Sequence, residues 1–170
     1  GIAEMAQPYM RQLRDESKET VHLSVYEHGC AQYADRLNSP QTVVLRWSRL
    51  GSALPLYCTA AGRAILAALP QAELDAYLAG AEMTPRTKLT VTSPDRLREM
   101  LARFRNQGYA EENQENEENI RCIGAAILNR KNYPVAAISL TAPSFRFTDY
   151  DAAIFGAKVA AAARDISSRL

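Results

Sequence analysis

The chain has 170 residues, 47% of them apolar and 23% charged, with a formal net charge of +1. That is a one-domain length with room for a substantial core, and the composition of an ordinary globular domain. The charge balance, with no dense Lys/Arg run, excludes the electrostatic footprint of a nucleic-acid-binding surface. No apolar run approaches the ~18 residues of a membrane span, and no signal-peptide pattern opens the chain. Cys30, Cys58 and Cys122 are far apart, with no CxxC and no paired histidine spacing. Neither a disulfide framework nor a metal site is signalled, no cofactor is called for, and the cytoplasm is the expected compartment.

Met5, Tyr9 and Leu13 recur at helical spacing, which predicts a helix over Ala3 to Lys18 with Pro8 near its start. Beginning at a helix, the chain reads as a domain cut from something longer. Val21, Leu23 and Val25 alternate with His22, Ser24 and Tyr26, the pattern of a half-buried strand. Glu27-His28-Gly29 turns the chain into a second strand, Cys30 to Leu37, and Asn38-Ser39-Pro40 leads to a third, Thr42 to Trp47. From Thr59 the period is helical, with Thr59 as N-cap and Ile65, Leu66 and Leu69 facing inward until Pro70. Leu74, Tyr77 and Leu78 mark a short helix stopped by Gly80, and Ser93-Pro94 starts another that ends at Gly108. Strands follow over Arg121 to Leu128 and Val135 to Thr141, and Thr148-Asp149-Tyr150-Asp151 forms a capping box for a last helix to Ser168. Hairpins flanked by helices indicate an α/β domain around a largely antiparallel sheet.

The segment Gly108 to Asn129 is the most informative. Five glutamates and no basic residue lie between Glu111 and Glu118, and the acidic loop they form runs into a strand of small residues that carries Cys122. On that strand Ile123, Ala125 and Ile127 share one face, and Cys122, Gly124 and Ala126 the other. On the next, Ala136, Ile138 and Leu140 oppose Ala137, Ser139 and Thr141. One face is built for packing. The other carries a thiol and two hydroxyls among small side chains, which either lets a helix approach closely or leaves a cavity. The helix start at Thr59, Ala60, Ala61 and Gly62 presents free N–H groups that receive a carboxylate well. Together with Glu112, Cys122, Ser139 and Thr141, it describes a site for a small hydroxy or keto acid. Cys122 is also a candidate nucleophile, although no base is evident beside it and acidic neighbours raise a thiol pKa. His22 and His28 read as surface or structural residues.

These residues resemble the effector-binding domain of IclR-type bacterial transcription regulators. The resemblance is carried by ETVHLSVYEHG (Glu19 to Gly29), SRLGSALPLYCTAAGRAILA (Ser48 to Ala67), the Gly-Tyr-Ala and Glu-rich segment leading to RCIGAAILN, and AAISLTAPSFRFT (Ala136 to Thr148). It implies a GAF-like (profilin-like) α/β fold, a winged helix-turn-helix DNA-binding domain upstream of Gly1, and assembly into a dimer or tetramer. DNA would be met only through that upstream domain. The family's effector pocket falls on Ala60 and Ala61, then on Glu112, Cys122, Ser139 and Thr141, with an apolar wall near Val43 or Leu45. Glu112 stands where many members have Asp, Asn119 where glycine is common, Ala126 where proline is common and Thr141 where serine is common. The segment also looks like the branch that responds to sugar-acid breakdown products such as keto-deoxy sugar acids.

The expected function is that of a ligand sensor for a small carboxylate, a keto acid or sugar acid, performing no chemistry. The alternative is a thiol-dependent enzyme or redox sensor on a GAF-like scaffold, centred on Cys122. A purely structural oligomerisation domain is a third possibility, which implies no ligand and no cavity.

Overall fold

A computed structural model describes residues 1–41 and 49–170. Five helices are described: α1 (Ile2–Ser17), α2 (Ala60–Ala68), α3 (Gln71–Gly80), α4 (Pro94–Gln107) and α5 (Asp149–Ser167). Six strands, β1 (Thr20–Glu27), β2 (Cys30–Leu37), β3 (Ala53–Leu54), β4 (Ala110–Asn113), β5 (Ile120–Leu128) and β6 (Pro134–Pro143), form one sheet in the order β3-β2-β1-β6-β5-β4. Every neighbouring pair is antiparallel.

The two faces of the sheet carry two separate cores. Val21, Leu23, Ile123, Ala125, Ile127, Ala136, Ile138 and Leu140 pack beneath α1 and α5, with Met10, Leu13, Val159 and Ile166. That is the packing face read from the alternation of β5 and β6. On the opposite face, α2, α3 and α4 gather Ile65, Leu66, Leu74, Leu97, Leu101 and Phe104 against a smaller sheet contribution. Small side chains on β5 and β6 therefore do let a helix approach closely.

The caps follow the local chemistry. The Thr59 hydroxyl accepts from the Gly62 N–H at 3.1 Å and donates to the Pro55 carbonyl at 2.5 Å, which ends the extended loop and starts α2. Ser93 caps α4 through the Arg96 N–H, and Gly108 closes it in the left-handed region at φ 89°. Thr148 and Asp151 form the expected capping box of α5.

The structure departs from the sequence reading at two points. Helix α1 begins at Ile2, so Pro8 lies within it rather than near its start. Part of the acidic segment is not a loop: Ala110–Asn113 is edge strand β4, its backbone bonded to β5. Four residues with two glutamates carry too little apolar alternation to be read as a strand. The strand expected over Thr42 to Trp47 lies outside the described residues.

Gly62 is required by a close approach. A Cβ added there would sit 2.4 Å from the Leu56 Cα and 2.6 Å from the Leu56 carbonyl oxygen, both backbone atoms. Gly62→Ala is expected to destabilise the chain by about 1–3 kcal/mol through overpacking. A urea-melt midpoint equal to that of the unsubstituted chain would contradict this contact.

Candidate functional site

The site is assembled on the α2 side of the sheet. In antiparallel pairs, residues directly opposite each other share a face. One row across the sheet reads Glu112 (β4), Cys122 (β5), Thr141 (β6) and Thr20 (β1). The next reads Ala110, Gly124, Ser139 and His22, followed by Arg36 on β2. A third runs from Ala126 through Ala137 and Ser24 to Tyr33. Glu112 and Cys122, ten positions apart in sequence, are thus direct partners and not the two ends of a loop.

Helix α2 packs on this surface, its first turn against Gly124. A Cβ added at Gly124 would lie 3.1 Å from the Ala60 carbonyl carbon and 3.2 Å from the Ala61 nitrogen. The helix start therefore sits directly on Gly124, beside Ser139. Its amides are already divided by function. The Gly62 N–H is taken by the Thr59 hydroxyl and the Arg63 N–H by the Thr59 carbonyl. Ala60 and Ala61 carry the first two amides of the helix, the ones placed to receive an anion. Thr59 contributes as a cap and not through a free hydroxyl, and the smallness of Gly62 is explained by Leu56 rather than by a ligand.

A buried ion pair fixes the helix start against the acidic segment. The Arg63 side chain is fully buried and grips Glu115 in a two-pronged arrangement, Nη1 to Oε2 at 2.7 Å and Nη2 to Oε1 at 2.6 Å. Arg63 also donates to the Tyr57 carbonyl at 2.8 Å and the Glu111 carbonyl at 3.1 Å. Glu115 Oε1 in turn accepts from the Val91 N–H at 2.9 Å. Sequence reading missed this pair. The available signal was one arginine within the otherwise apolar stretch Ala60 to Ala68.

Glu112 is buried as well, and its Oε2 accepts from the backbone N–H of Glu115 at 2.8 Å and of Asn116 at 3.4 Å. Burial pushes its pKa up to about 7, against the lowering effects of those two amides and of Arg63, with the Glu115 charge adding to the rise. Near neutrality this carboxyl is available both as donor and as acceptor. The other glutamates of the run are less enclosed, apart from Glu115. Asn119 adopts φ 66°, the left-handed conformation that glycine takes at no cost and asparagine tolerates best among other residues.

Cys122 is partly accessible, and its thiol donates to Thr141 Oγ1 at 3.4 Å. Burial first, and then the Glu112 charge, hold its pKa well above the ordinary thiol value. A thiol kept protonated is a poor nucleophile, so the Cys122-centred enzyme or redox sensor is not favoured. His22 is not a surface residue: it is 2% exposed, with Nδ1 3.4 Å from Thr141 Oγ1 and its ring 5.1 Å from that of Tyr33. Val43 and Leu45 lie outside the described residues. Among the described residues no cluster of His, Cys, Asp or Glu is arranged to hold a metal ion. A cavity of about 900 Å³, lined by Pro55, Tyr57, Thr84, Arg86, Thr87 and Asn116 to Asn119, opens beside the loop that leads into α2. Asn116 joins it to the site, through its side-chain contact with the Cys58 thiol at 3.5 Å and its backbone bond to Glu112.

Two substitutions test this arrangement. Arg63→Met leaves the Glu115 carboxylate buried and unpaired and is expected to cost about 3–5 kcal/mol. Adding Glu115→Gln should recover part of that loss. A single variant within 1 kcal/mol of the unsubstituted chain in urea melts would contradict the pair's role. Between an unfolded value near 4.5 and a folded value of about 7, Glu112 is protonated in the folded chain and ionised in the unfolded one. Its contribution to stability is present at the acid end of this window and lost as pH rises towards 7. Comparing thermal melts from pH 4.5 to 8, Glu112→Gln should gain on the unsubstituted chain as pH rises. A difference that does not vary with pH would contradict the raised pKa.

Comparison with known proteins shows the family and the fold. The family model for the C-terminal region of bacterial IclR transcriptional regulators matches residues 1–168. The HTH-type transcriptional regulator KdgR of Escherichia coli is 34% identical over 161 residues, covering 95% of this chain and 61% of KdgR. The HTH-type transcriptional regulator RhmR of the same organism is 33% identical over 169 residues, covering 99% and 65%. The chain thus spans less than two thirds of these relatives' own length. The crystal structure of Thermotoga maritima IclR superposes with a TM-score of 0.96 at 34% identity, covering all of this chain and 68% of that one. The chain belongs to the family of IclR-type C-terminal domains of bacterial transcriptional regulators.

Proposed function

We propose that this domain senses a small carboxylate, a keto acid or sugar acid, on behalf of a DNA-binding transcription regulator. The observation that carries the proposal is the seating of the Ala60 and Ala61 amides on Gly124, next to Glu112, Cys122, Ser139 and Thr141. An anion on those two amides gains the positive end of α2. Its hydroxyl or keto oxygens then lie over Ser139 and Thr141, with Glu112 at the edge of the site to donate or accept. The names of KdgR and RhmR as HTH-type regulators, and the length of those relatives, support an upstream helix-turn-helix domain as the part that meets DNA. Effector binding acts on DNA affinity to the extent that the effector prefers one arrangement of the domains.

Assembly into a dimer or tetramer is part of the same reading. Phe145, in the 3-10 turn that precedes α5, and Tyr150 and Ile154, in the first two turns of α5, are 81%, 74% and 41% exposed. Large exposed apolar side chains in sequence favour a protein contact.

Calorimetric titration with a panel of keto acids and sugar acids tests the sensor. At least one acid should bind, and Ser139→Val and Glu112→Ala should each weaken it by about tenfold or more, consistent with loss of one buried hydrogen bond. Unchanged affinity in both variants would overturn the placement, and no binding across the panel would overturn the effector class. For assembly, Tyr150→Glu with Ile154→Glu should lower the sedimenting mass. An unchanged mass would exclude this face.

A further inference from the structure

We infer that His22 and Ser24 on β1 form the far arm of the same site, taking an oxygen-bearing group at the end of the effector opposite its carboxylate. This inference rests on the sensor reading and narrows it: the effector is a chain of about five or six carbons rather than two or three.

Three observations point to this. His22 and Ser24 are 2% and 0% exposed, yet among the described residues His22 Nε2 and Ser24 Oγ have no hydrogen-bond partner. Leaving a buried polar atom unpaired is destabilising, and such groups in folded proteins ordinarily have partners. The two side chains also lie on the polar face of the sheet. His22 is the direct cross-strand partner of Ser139 and Ser24 that of Ala137. Finally, His22 is already wired to the site, with Nδ1 against the same Thr141 hydroxyl that receives the Cys122 thiol. A run of polar contacts therefore extends across four strands from Glu112 to His22.

The chemistry available to His22 follows from its surroundings. Burial, and then the Arg36 charge, push its pKa down to about 3, so the ring is neutral at physiological pH. In the tautomer whose Nδ1 accepts from Thr141, Nε2 carries the proton and donates to a carbonyl or hydroxyl oxygen; in the other, Nε2 accepts from a hydroxyl. Ser24 adds a group that donates or accepts.

Sheet geometry sets the length. Gly124, under the α2 start, and His22 lie in one row, separated by β6. Two strand spacings of about 4.8 Å place them roughly 10 Å apart. An acid with its carboxylate on the Ala60 and Ala61 amides covers that span, hydrogen bonds included, with a backbone of about five or six carbons. A three-carbon acid ends over Ser139.

The test compares six-carbon sugar acids (gluconate, glucuronate, galacturonate and 2-keto-3-deoxygluconate) with three-carbon acids (pyruvate, lactate and glycerate) by calorimetry. His22→Phe keeps a planar ring beside Tyr33 while removing both nitrogens, and His22→Gln restores a donor. Ser24→Ala removes the hydroxyl. A six-carbon acid should bind the unsubstituted chain, lose at least tenfold in affinity with His22→Phe, recover part of it with His22→Gln, and weaken severalfold with Ser24→Ala. Pyruvate affinity should stay within twofold throughout. Equal losses for both acid lengths would make His22 a structural residue and overturn the inference. So would an unchanged six-carbon affinity in variants whose melts match the unsubstituted chain, or binding of three-carbon acids alone. Absence of binding by any acid defeats the sensor reading itself, which distinguishes its failure from that of the His22 arm.

Discussion

The buried pair between Arg63 and Glu115 is the constraint on which the site depends. Arg63 stands one turn into α2, so its grip on Glu115 ties the start of that helix to the turn after β4. Its remaining donors reach the loop before α2 and the backbone of β4, while Glu115 reaches the segment before α4. Five pieces of chain are fixed by two charged side chains. A buried ion pair is weak evidence for stability as such, because desolvation offsets much of its attraction. Its value here is positional, since both members have every prong engaged and tolerate little displacement.

Two features follow from that fixation. Once the helix start is pinned, the sheet beneath it must be flat and small, and Gly124 supplies this with no side chain to hold Ala60 and Ala61 away. The turn after β4 then delivers the Glu115 and Asn116 amides to the Glu112 carboxylate, which is turned into the sheet face opposite Cys122. Of the two alternatives read from the sequence, close helix packing is realised at Gly124, and polar side chains lie on the same sheet face beside it. The helix packs where glycine and alanine lie, and the polar atoms border that contact on both sides.

Legibility in the sequence varied with the kind of signal. The helices were readable because apolar period and cap chemistry agreed, as at Thr59, Ser93 with Gly108, and Thr148 with Asp151. Alternation in β5 and β6 gave the two sheet faces and named Cys122, Ser139 and Thr141. The same rule misled at β1. Its alternating His22, Ser24 and Tyr26 read as a solvated face, whereas this strand lies inside the sheet between β2 and β6 and is covered on both sides. Polar residues facing a site and polar residues facing water give the same pattern. Arg63 was invisible for a related reason, since its partner lies 52 positions away and only the fold brings them together. The resemblance to IclR-type regulators supplied the fold and an expected site position, and the family match over residues 1–168 bears out the fold.

The central claim is that the first two amides of α2 receive the carboxylate of a small acid beside Gly124. The most direct test is a titration of the isotope-labelled protein with the panel of keto and sugar acids, following backbone amide resonances. The account predicts that the largest shifts fall on Ala60 and Ala61, with Gly124 and Ser139 next. Shifts centred instead on the cavity between the ends of α4 and α5, around Arg105, Arg130 and Arg164, would contradict it.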